Sequence, residues 1–189
     1  IESPQNARIK AAAKLRLARG RHQSDQFLID GARETLRALA SGACVETLIL
    51  CRDFLNEHVA KQLLAAGKSR SVEVWETSPA AFAKVAYGDR VEGVVAIARS
   101  QPGQLSDWSP PSAGSIYVVL EGIEKPGNLG AIFRTADAVG VAGIILTQTR
   151  VTPENSNAIR ASLGTVFSVP YVMAGLDDVF PWLEKHGVR

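Results

Sequence analysis

Along the chain, short runs of hydrophobic residues alternate with segments in which hydrophobic residues recur with the period of a helix. This alternation predicts an α/β protein. In the first half, short apolar runs typical of strands occur at 27–29, 45–50, 72–75 and 91–98. The pattern restarts after a break, with further runs at 116–120, 143–147 and 166–172. In the second half helical crossovers join the runs, so we predict a parallel sheet that is covered on both faces.

The predicted helices are defined by the spacing of apolar side chains and by capping residues. The first covers residues 6–19 and has an apolar stripe of Ile9, Ala13 and Leu17. The others are predicted over 32–41, from an N-cap at Asp53 to 66, after Ser78-Pro79, over 129–139, after Thr152-Pro153, and over 178–186. Pro181 is expected in the first turn of the last helix, where a proline is tolerated.

A stretch without apolar periodicity, residues 100–115, separates the two halves of this pattern. It contains three prolines and two glycines, a composition that is typical of a linker. We therefore predict a first domain over residues 1–99, a linker over 100–115 and a second domain over 116–189.

Composition narrows the class of protein. Hydrophobic residues make up 46% and charged residues 21% of the 189 residues, which is typical of a globular chain and excludes a disordered one. No apolar run approaches the roughly 18 residues that a membrane span needs. Cys44 and Cys51 have neither metal-ligand spacing nor the density of a disulfide scaffold, so we expect no metal and two reduced thiols in a cytoplasmic protein.

Charge is unevenly distributed, although the net charge is only +2. Residues 1–100 carry 15 Lys and Arg against 11 Asp and Glu, whereas residues 101–189 carry 6 against 8. Six of the basic residues lie within the first 21 positions, and Glu2 is the one acid there. This cationic arm favours a polyanionic partner such as nucleic acid, although a solvated helix face explains it equally well.

The segment 120–136 has the pattern of a strand end, a glycine-rich loop and a helix start, where α/β folds place ligands. Gly122 and Gly127 have the spacing of a phosphate-binding loop, but Asn128-Leu129 stands where Lys and Ser or Thr are required. No G-x-G-x-x-G occurs in the chain. Neither a P-loop nor a dinucleotide-binding fold is therefore supported.

The helix that follows carries one cation, Arg134, whose direction can be predicted from the apolar stripe. The apolar stripe of this helix consists of Leu129, Ile132, Ala136 and Val139. At about 100° per residue, Arg134 points almost opposite to the stripe. The small residues beside it are Gly130, Ala131 and Ala138. They leave room for a large ligand, but an ordinary solvent-facing arginine is also compatible with this geometry, and Asn128 is most simply an N-cap.

These residues resemble a known signature. The run at 126–136, PGNLGAIFRTA, with Gly140 after it, resembles the first motif of the SpoU/TrmH family of RNA ribose 2′-O-methyltransferases in the SPOUT superfamily. The run at 160–170, RASLGTVFSVP, is similar to the segment that leads from a helix into the next strand of that domain. Residues 3–10 and 27–31 resemble the small N-terminal substrate-binding domain of the family, whose fold is similar to ribosomal protein L30e.

The chain departs from the family pattern in three places. Asp30 stands where a glutamate is more usual, and Lys125 stands where an acid or Asn is frequent. Two further family motifs follow the region that corresponds to 165–189, and they form the trefoil knot and most of the S-adenosylmethionine pocket. We therefore expect an L30e-like domain followed by a SPOUT domain without its C-terminal knotted part, with the main cofactor contacts beyond Arg189. We expect a longer protein rather than a fragment that cannot bind cofactor, because a truncated parallel sheet would expose its edge.

The resemblance implies an enzyme that transfers a methyl group from S-adenosylmethionine to a ribose 2′-hydroxyl, in rRNA rather than tRNA, and that forms a homodimer. It assigns hydroxyl activation to Arg134, supported by Asn128. Because arginine stays protonated, we expect Arg134 to bind the adjacent phosphate and stabilise negative charge on the 2′-oxygen. The candidate RNA contacts are Arg8, Lys10, Arg19, Arg21, Arg33 and Arg160. The alternatives are a non-catalytic RNA-binding protein on the same scaffold, tRNA rather than rRNA as the substrate, and a methyltransferase with a non-RNA substrate.

Overall fold

The computed structural model describes residues 1–87, 91–108 and 114–188 of the chain. Two units can be distinguished, Ile1–Ser100 and Gln101–Arg189, and both are built from alternating strands and helices. Residues 109–113 of the predicted linker lie outside the described residues. Among the helices of the described ranges, none combines the length and apolar character that crossing a bilayer takes.

The first unit is a four-stranded mixed sheet with five helices in its described part. Its elements are α1 (Ala7–Lys14), α2 (Ala18–Ser24), β1 (Gln26–Asp30), α3 (Ala32–Ser41), β2 (Val45–Leu50), α4 (Glu57–Lys68), β3 (Glu73–Glu76), α5 (Pro79–Phe82) and β4 (Val94–Arg99). The strand order is β1-β4-β2-β3. β4 runs antiparallel to both neighbours, whereas β2 and β3 are parallel. The last strand of the unit therefore lies inside the sheet, where its apolar run is buried.

The first helical segment differs from the prediction because the chain breaks after Lys14. Ile9, Ala12 and Leu15 form the buried stripe, while Leu17 is 68% exposed and precedes α2 in an extended conformation. Gly20 permits this corner: a Cβ there would lie 2.2 Å from the carbonyl oxygen of Lys14. The predicted single helix over 6–19 and its stripe are therefore wrong, because a close approach between neighbouring turns ends the helix early.

Two other boundaries in the first unit move by a few residues. The N-cap of α4 is Asn56 rather than Asp53, and its side chain accepts hydrogen bonds from the N–H groups of His58 and Val59. Ser78 caps α5 as predicted, accepting from the N–H of Ala81. Either Asp or Asn can cap a helix, so local sequence alone does not choose between residues 53 and 56.

The second unit is a three-stranded parallel sheet in the order β5-β6-β7, as the hydrophobic runs predict. Its elements are β5 (Tyr117–Glu121), α6 (Pro126–Val139), β6 (Gly143–Thr147), α7 (Ser156–Ala161), β7 (Tyr171–Met173) and α8 (Leu176–Lys185). β6 is the central strand and is buried along its whole length. β5 is only partly covered: Val119 is 42% exposed, so the prediction that both faces are covered does not hold for the described residues of this strand.

Part of the predicted linker belongs to the core of the second unit. Leu105 is 7% exposed and begins a 3-10 turn that ends at Asp107. The Trp108 ring then packs against Tyr117 and Trp182, and it lies so close to Gly143 that a Cβ there would be 2.4 Å from the ring. Two separate side chains, those of Leu105 and Trp108, pack into the core, rather than one face of a regular helix or strand. The stretch therefore lacks hydrophobic periodicity.

Two expectations for the C-terminal elements are also corrected. The predicted strand over 166–172 is a 3-10 turn, Thr165–Phe167, followed by the short β7. Pro170 has no N–H to contribute to a ladder, which prevents a longer strand. Pro181 lies inside α8, beyond its first turn, because that helix begins at Leu176 rather than 178.

Candidate functional site

The candidate site of the second unit lies where β5 ends and α6 begins. The intervening loop is tied to the segment that follows β6: the N–H of Gly122 donates to the carbonyl oxygen of Thr147, and that of Arg150 to Ile123, each at 3.0 Å. An exposed salt bridge of 3.1 Å also joins Arg150 to Glu124. The carboxyl ends of two adjacent parallel strands thus share one edge with the glycine-rich loop, which is where α/β sheets bind ligands.

Asn128 is not the N-cap of α6, contrary to the prediction. The helix begins at Pro126, with Lys125 at the cap position and no side-chain cap. A proline is tolerated there because the first N–H groups of a helix have no intrahelical acceptor. Asn128 is therefore the third residue of the helix, and its exposed amide is available to a ligand.

Arg134 lies on the exposed face of α6, as its helical position predicts. The buried face is formed by Leu129, Phe133 and Ala136, whereas Val139, which belongs to the predicted stripe, is 63% exposed. Phe133 is drawn inward by an edge-to-face contact with Tyr171, whose ring centroid is 5.7 Å away. Within the described ranges, Arg134 forms no salt bridge, so its guanidinium is free to bind an anionic ligand.

Gly130 has a different role from the one its position suggests. A Cβ at this residue would lie 2.6 Å from the Cβ of Ala161 and 2.7 Å from the carbonyl oxygen of Ala158. Gly130 is itself buried, so α6 and α7 meet backbone to backbone at this point. The small residue fixes the packing of two helices, and the prediction that it leaves room for a ligand beside Arg134 is wrong.

The run at 160–168 forms a hydrogen-bonded turn at the end of α7. Ser162 is fully buried; its Oγ donates to the carbonyl oxygen of Ile159 at 2.7 Å and accepts from the N–H of Gly164 at 3.1 Å. Leu163 and Gly164 both have left-handed backbones, with φ of 58° and 84°. Arg160, a candidate RNA contact, is half-buried in the last turn of the helix. Because α7 packs against α6, this hydrogen-bonded turn at the end of α7 helps to hold α6 in position.

Two hydroxyl groups at the edge of the sheet are unexplained by packing. The Oγ1 atoms of Thr147 and Thr149 are buried and have no hydrogen-bond partner among the described residues. Thr147 is the last residue of β6, and Gln148 between them has a left-handed backbone with φ of 51°. Buried polar atoms are normally paired, so these hydroxyls mark a place where a ligand group is expected. Polar residues directly after a buried strand are the sequence signal that would have found them.

The candidate RNA contacts of the first unit fall into two groups. Lys10 and Arg19 are exposed, as a phosphate-binding surface requires. Arg8 is 60% exposed at its side chain and forms a 3.0 Å salt bridge with Glu73. These three side chains can exchange water or a surface partner for phosphate at little cost.

Arg21 and Arg33 have partners within the first unit, although the Arg33 side chain is 51% exposed. Nη1 of Arg21 donates to the carbonyl oxygens of Leu15 and Arg16, at 3.2 and 3.1 Å, and so closes the corner between α1 and α2. Arg33 pairs at 2.7 Å with Glu34, whose carboxylate is almost fully buried. Both arginines therefore have structural partners that the sequence pattern did not indicate.

The described residues offer neither a metal site nor a reactive thiol as an alternative to this site. No group of three or more His, Cys, Asp or Glu side chains that could hold a metal ion occurs among them. Burial raises the pKa of the Cys51 thiol, which disfavours a reactive thiolate. The site is therefore defined by α6, its preceding loop and the edge of the parallel sheet.

Two family models match the chain, one in each half. Residues 115–189 match the model of the SpoU rRNA Methylase family, and residues 6–96 match the model of the MRM3-like substrate binding domain. These matches define a class of two-domain α/β proteins in which a substrate-binding domain precedes a SpoU domain. The chain belongs to the SpoU rRNA methylase family.

Individual relatives support the assignment. The chain is 34% identical over 191 residues to an uncharacterized tRNA/rRNA methyltransferase of Synechocystis, covering 98% of this chain and 65% of the relative. It is 36% identical over 129 residues to the 23S rRNA (adenosine(1067)-2′-O)-methyltransferase of Streptomyces laurentii, covering 67% of this chain and 47% of the relative. The chain thus spans less than two thirds of the length of these two relatives.

A solved structure confirms the expected fold class. The AdoMet-bound rRNA methyltransferase of Sinorhizobium meliloti superposes with a TM-score of 0.86 at 29% identity, covering 98% of this chain and 68% of that protein. The predicted SpoU/TrmH resemblance and the α/β SPOUT architecture are confirmed. The expectation of a knotted C-terminal part stays a prediction.

Proposed function

We propose that this protein takes part in transferring the methyl group of S-adenosylmethionine to a ribose 2′-hydroxyl of RNA. The observation that carries the proposal is Arg134, an exposed guanidinium without a salt bridge among the described residues, on the helix that follows the ligand-binding edge of a parallel sheet. Family membership supports it, as do relatives named as rRNA 2′-O-methyltransferases.

Arg134 is proposed to hold the RNA phosphate next to the target ribose and to stabilise negative charge on the 2′-oxygen. A guanidinium stays protonated, so it cannot accept the hydroxyl proton, but its planar fork binds phosphate in two places. Asn128 lies six residues, about one and two-thirds helical turns, before Arg134 and is also exposed. Its amide can donate and accept hydrogen bonds, which suits contact with a ribose or a base.

The described residues fit one part of a cofactor site. The buried, unpartnered hydroxyls of Thr147 and Thr149 can bind the hydroxyl, amino or carboxylate groups of S-adenosylmethionine. When bound, the cofactor supplies a methyl group on a positively charged sulfur, which needs no metal for activation. We propose that these two threonines hold a polar group of the cofactor at the carboxyl edge of β6.

The first unit is proposed to bind the RNA. Its cations Arg8, Lys10 and Arg19 would contact phosphates, while Arg21 and Arg33 would contribute beside their structural roles. Arg160 of the second unit is a further proposed RNA contact. The match to a substrate-binding domain model supports this assignment. Phosphate contacts position RNA without reading its sequence, and they make affinity depend steeply on salt.

We further propose rRNA rather than tRNA as the substrate, because the named relatives with an assigned position act on 23S rRNA. A homodimer and action in the cytoplasm complete the proposal and rest on the family resemblance.

The deciding experiment measures transfer of labelled methyl groups from S-adenosylmethionine to total rRNA and tRNA by the product of the complete gene. We expect label in rRNA, resistant to alkaline cleavage at one ribose, and loss of that label with Arg134→Ala. RNA binding without any methyl transfer would favour the non-catalytic RNA-binding protein. Transfer to non-RNA material alone would favour the other alternative.

A further inference from the structure

A cavity in the first unit lies between the two N-terminal helices and the sheet. It has a volume of about 490 Å³ and opens to solvent. The residues that give it chemical character are Arg8, Lys14, Gln26, Glu46, Glu73 and Trp75. Its size falls in the range of small-molecule sites, and its walls combine an aromatic ring with polar groups.

Trp75 is the aromatic residue that lines this cavity. One side of the residue packs against the core cluster beneath the helices, and the residue as a whole is half-buried. The guanidinium carbon of Arg8 lies 5.4 Å from the ring centroid, so the ring already attracts a planar cation. The indole Nε1 is buried and has no hydrogen-bond partner among the described residues, so the ring rather than the N–H is the part of Trp75 that a ligand can contact.

Glu46 and Gln26 provide a fixed polar edge beside the ring. The Gln26 amide donates to Oε2 of Glu46, and Nε of Arg99 donates to Oε1 at 2.7 Å. These contacts hold the carboxylate in one orientation, yet each oxygen can accept a further hydrogen bond. Carboxylates at such positions accept hydrogen bonds from the exocyclic amino groups of nucleobases.

The cations around the cavity favour a ligand that carries phosphates. Arg8 and Lys14 line it. Arg99 pairs with Glu46 and Arg8 pairs with Glu73, so Lys14 is the lining cation that forms no salt bridge within the described part of the chain. A stacking surface, a hydrogen-bonding edge and nearby cations are the three features with which proteins bind an unstacked base of a single-stranded RNA.

We propose that this cavity binds one unstacked nucleobase of the RNA substrate, which stacks on Trp75 and is read by Glu46. The inference rests on the proposed function in taking RNA as the partner, and it adds a base-reading site to a surface that otherwise contacts phosphates. Arg8 would leave the Trp75 ring for the adjacent phosphate when the base enters.

The test compares binding of short fluorescent single-stranded oligoribonucleotides to the full chain and its variants. Trp75→Leu is expected to lower affinity about tenfold with an unchanged salt slope, since stacking rather than phosphate contact is lost. Glu46→Gln should weaken the preference for bases with an exocyclic amino group over uracil. Val74→Ala is the matched control, because Val74 is exposed on the opposite face of the same strand.

Tryptophan emission provides a second measurement in case Trp75→Leu does not fold. Stacking should quench the emission of the wild-type chain when RNA is added, and Trp75→Phe should abolish that change while retaining most of the affinity. Unchanged affinity and unchanged quenching in the variants would overturn the proposal. Free mononucleotides that bind as tightly as RNA would also overturn it, in favour of a nucleotide site. Methyl transfer is scored separately: its absence with base-selective binding intact contradicts only the proposed function.

Discussion

Gly130 and Ala161 bring the two helices of the candidate active site into direct contact. A Cβ on Gly130 would lie 2.6 Å from the Cβ of Ala161, and the backbone of Ser162 would be 2.7 Å from it. The helix that carries Arg134 is therefore seated on a turn whose side chains and backbone are already hydrogen-bonded. Gly130 lies four residues before Arg134, about 40° away around the helix, so the position of the arginine depends on a packing contact one turn before it.

Gly130→Ala should destabilise the second unit. The added methyl group meets backbone atoms that cannot move independently, and overpacking of this kind costs about 1–3 kcal/mol. Urea unfolding followed by circular dichroism measures the change. Gly127→Ala is the matched control, because it lies in the same helix with no atom within 4 Å of its Cβ position. Equal stability of the two variants would show that α6 is not seated on α7 as described.

Arg134→Lys should lower turnover without lowering stability. The lysine keeps the charge but loses the planar fork, and removal of one well-placed donor to developing negative charge lowers the rate about 10²-fold. Because Arg134 is exposed, the free energy of unfolding should change by no more than about 0.5 kcal/mol. Single-turnover methyl transfer at saturating RNA measures the effect, with Lys185→Ala on the exposed face of α8 as control. Near-full turnover of Arg134→Lys would disprove the two-point clamp on phosphate.

Lys10→Gln and Arg21→Gln should separate RNA binding from folding. Lys10 is exposed, so its loss should reduce the salt slope of RNA binding by about 0.7 and leave stability unchanged. Arg21 donates to two carbonyl oxygens at the end of α1, so its loss should lower the free energy of unfolding by about 1 kcal/mol. Salt titrations of RNA affinity and thermal unfolding check both. A stable Arg21→Gln protein with a reduced slope would show that Arg21 acts mainly on RNA.

Alkaline pH should destabilise the second unit through Tyr171. Burial raises the pKa of Tyr171 well above its ordinary value of 10.0, and the Glu154 carboxylate, to which the Tyr171 hydroxyl donates a 2.7 Å hydrogen bond, reinforces the effect. The folded state therefore keeps a proton that the unfolded state releases, so this contribution is complete below pH 10 and falls as the pH rises further. Unfolding free energies measured from pH 8 upward should decline above pH 10.

Tyr171→Phe is the matched variant for that measurement. It keeps the ring that packs edge to face on Phe133 and removes the ionisable group. The variant should lose a few tenths to about 1 kcal/mol at neutral pH, together with most of the decline above pH 10. An undiminished decline would assign the alkaline sensitivity to other groups.

Local pattern accounts well for the elements with a strong period and clear ends. The predicted bounds of α3, β2 and β6 coincide with those of the structure. α3 lies between Gly31 and Gly42, and the apolar runs of β2 and β6 are followed within two residues by Arg52 and Gln148, so burial and chain reversal point to similar limits. The SpoU-like motif also places Arg134 on an exposed helix face, although its catalytic role stays a prediction.

Tertiary contacts decide the features that hydrophobic periodicity does not predict. The helix breaks after Lys14 because Gly20 lies close to the carbonyl oxygen of Lys14. Trp108 packs into the core because Gly143 has no side chain to block its ring. The engagement of Arg21 depends on carbonyl groups that the same break exposes.

The sequence alone determined the α/β class, the parallel second sheet, the cationic N-terminal arm and the family motif. Each of these is carried by neighbouring residues, whose spacing decides which side chains share a face. Only the tertiary structure decided that Gly130 packs on α7, that the hydroxyls of Thr147 and Thr149 are left unpaired, and that Trp75 faces a cavity edged by Glu46. These relations join residues that are far apart in the chain, and their energies depend on distances of a few tenths of an ångström that local spacing does not specify.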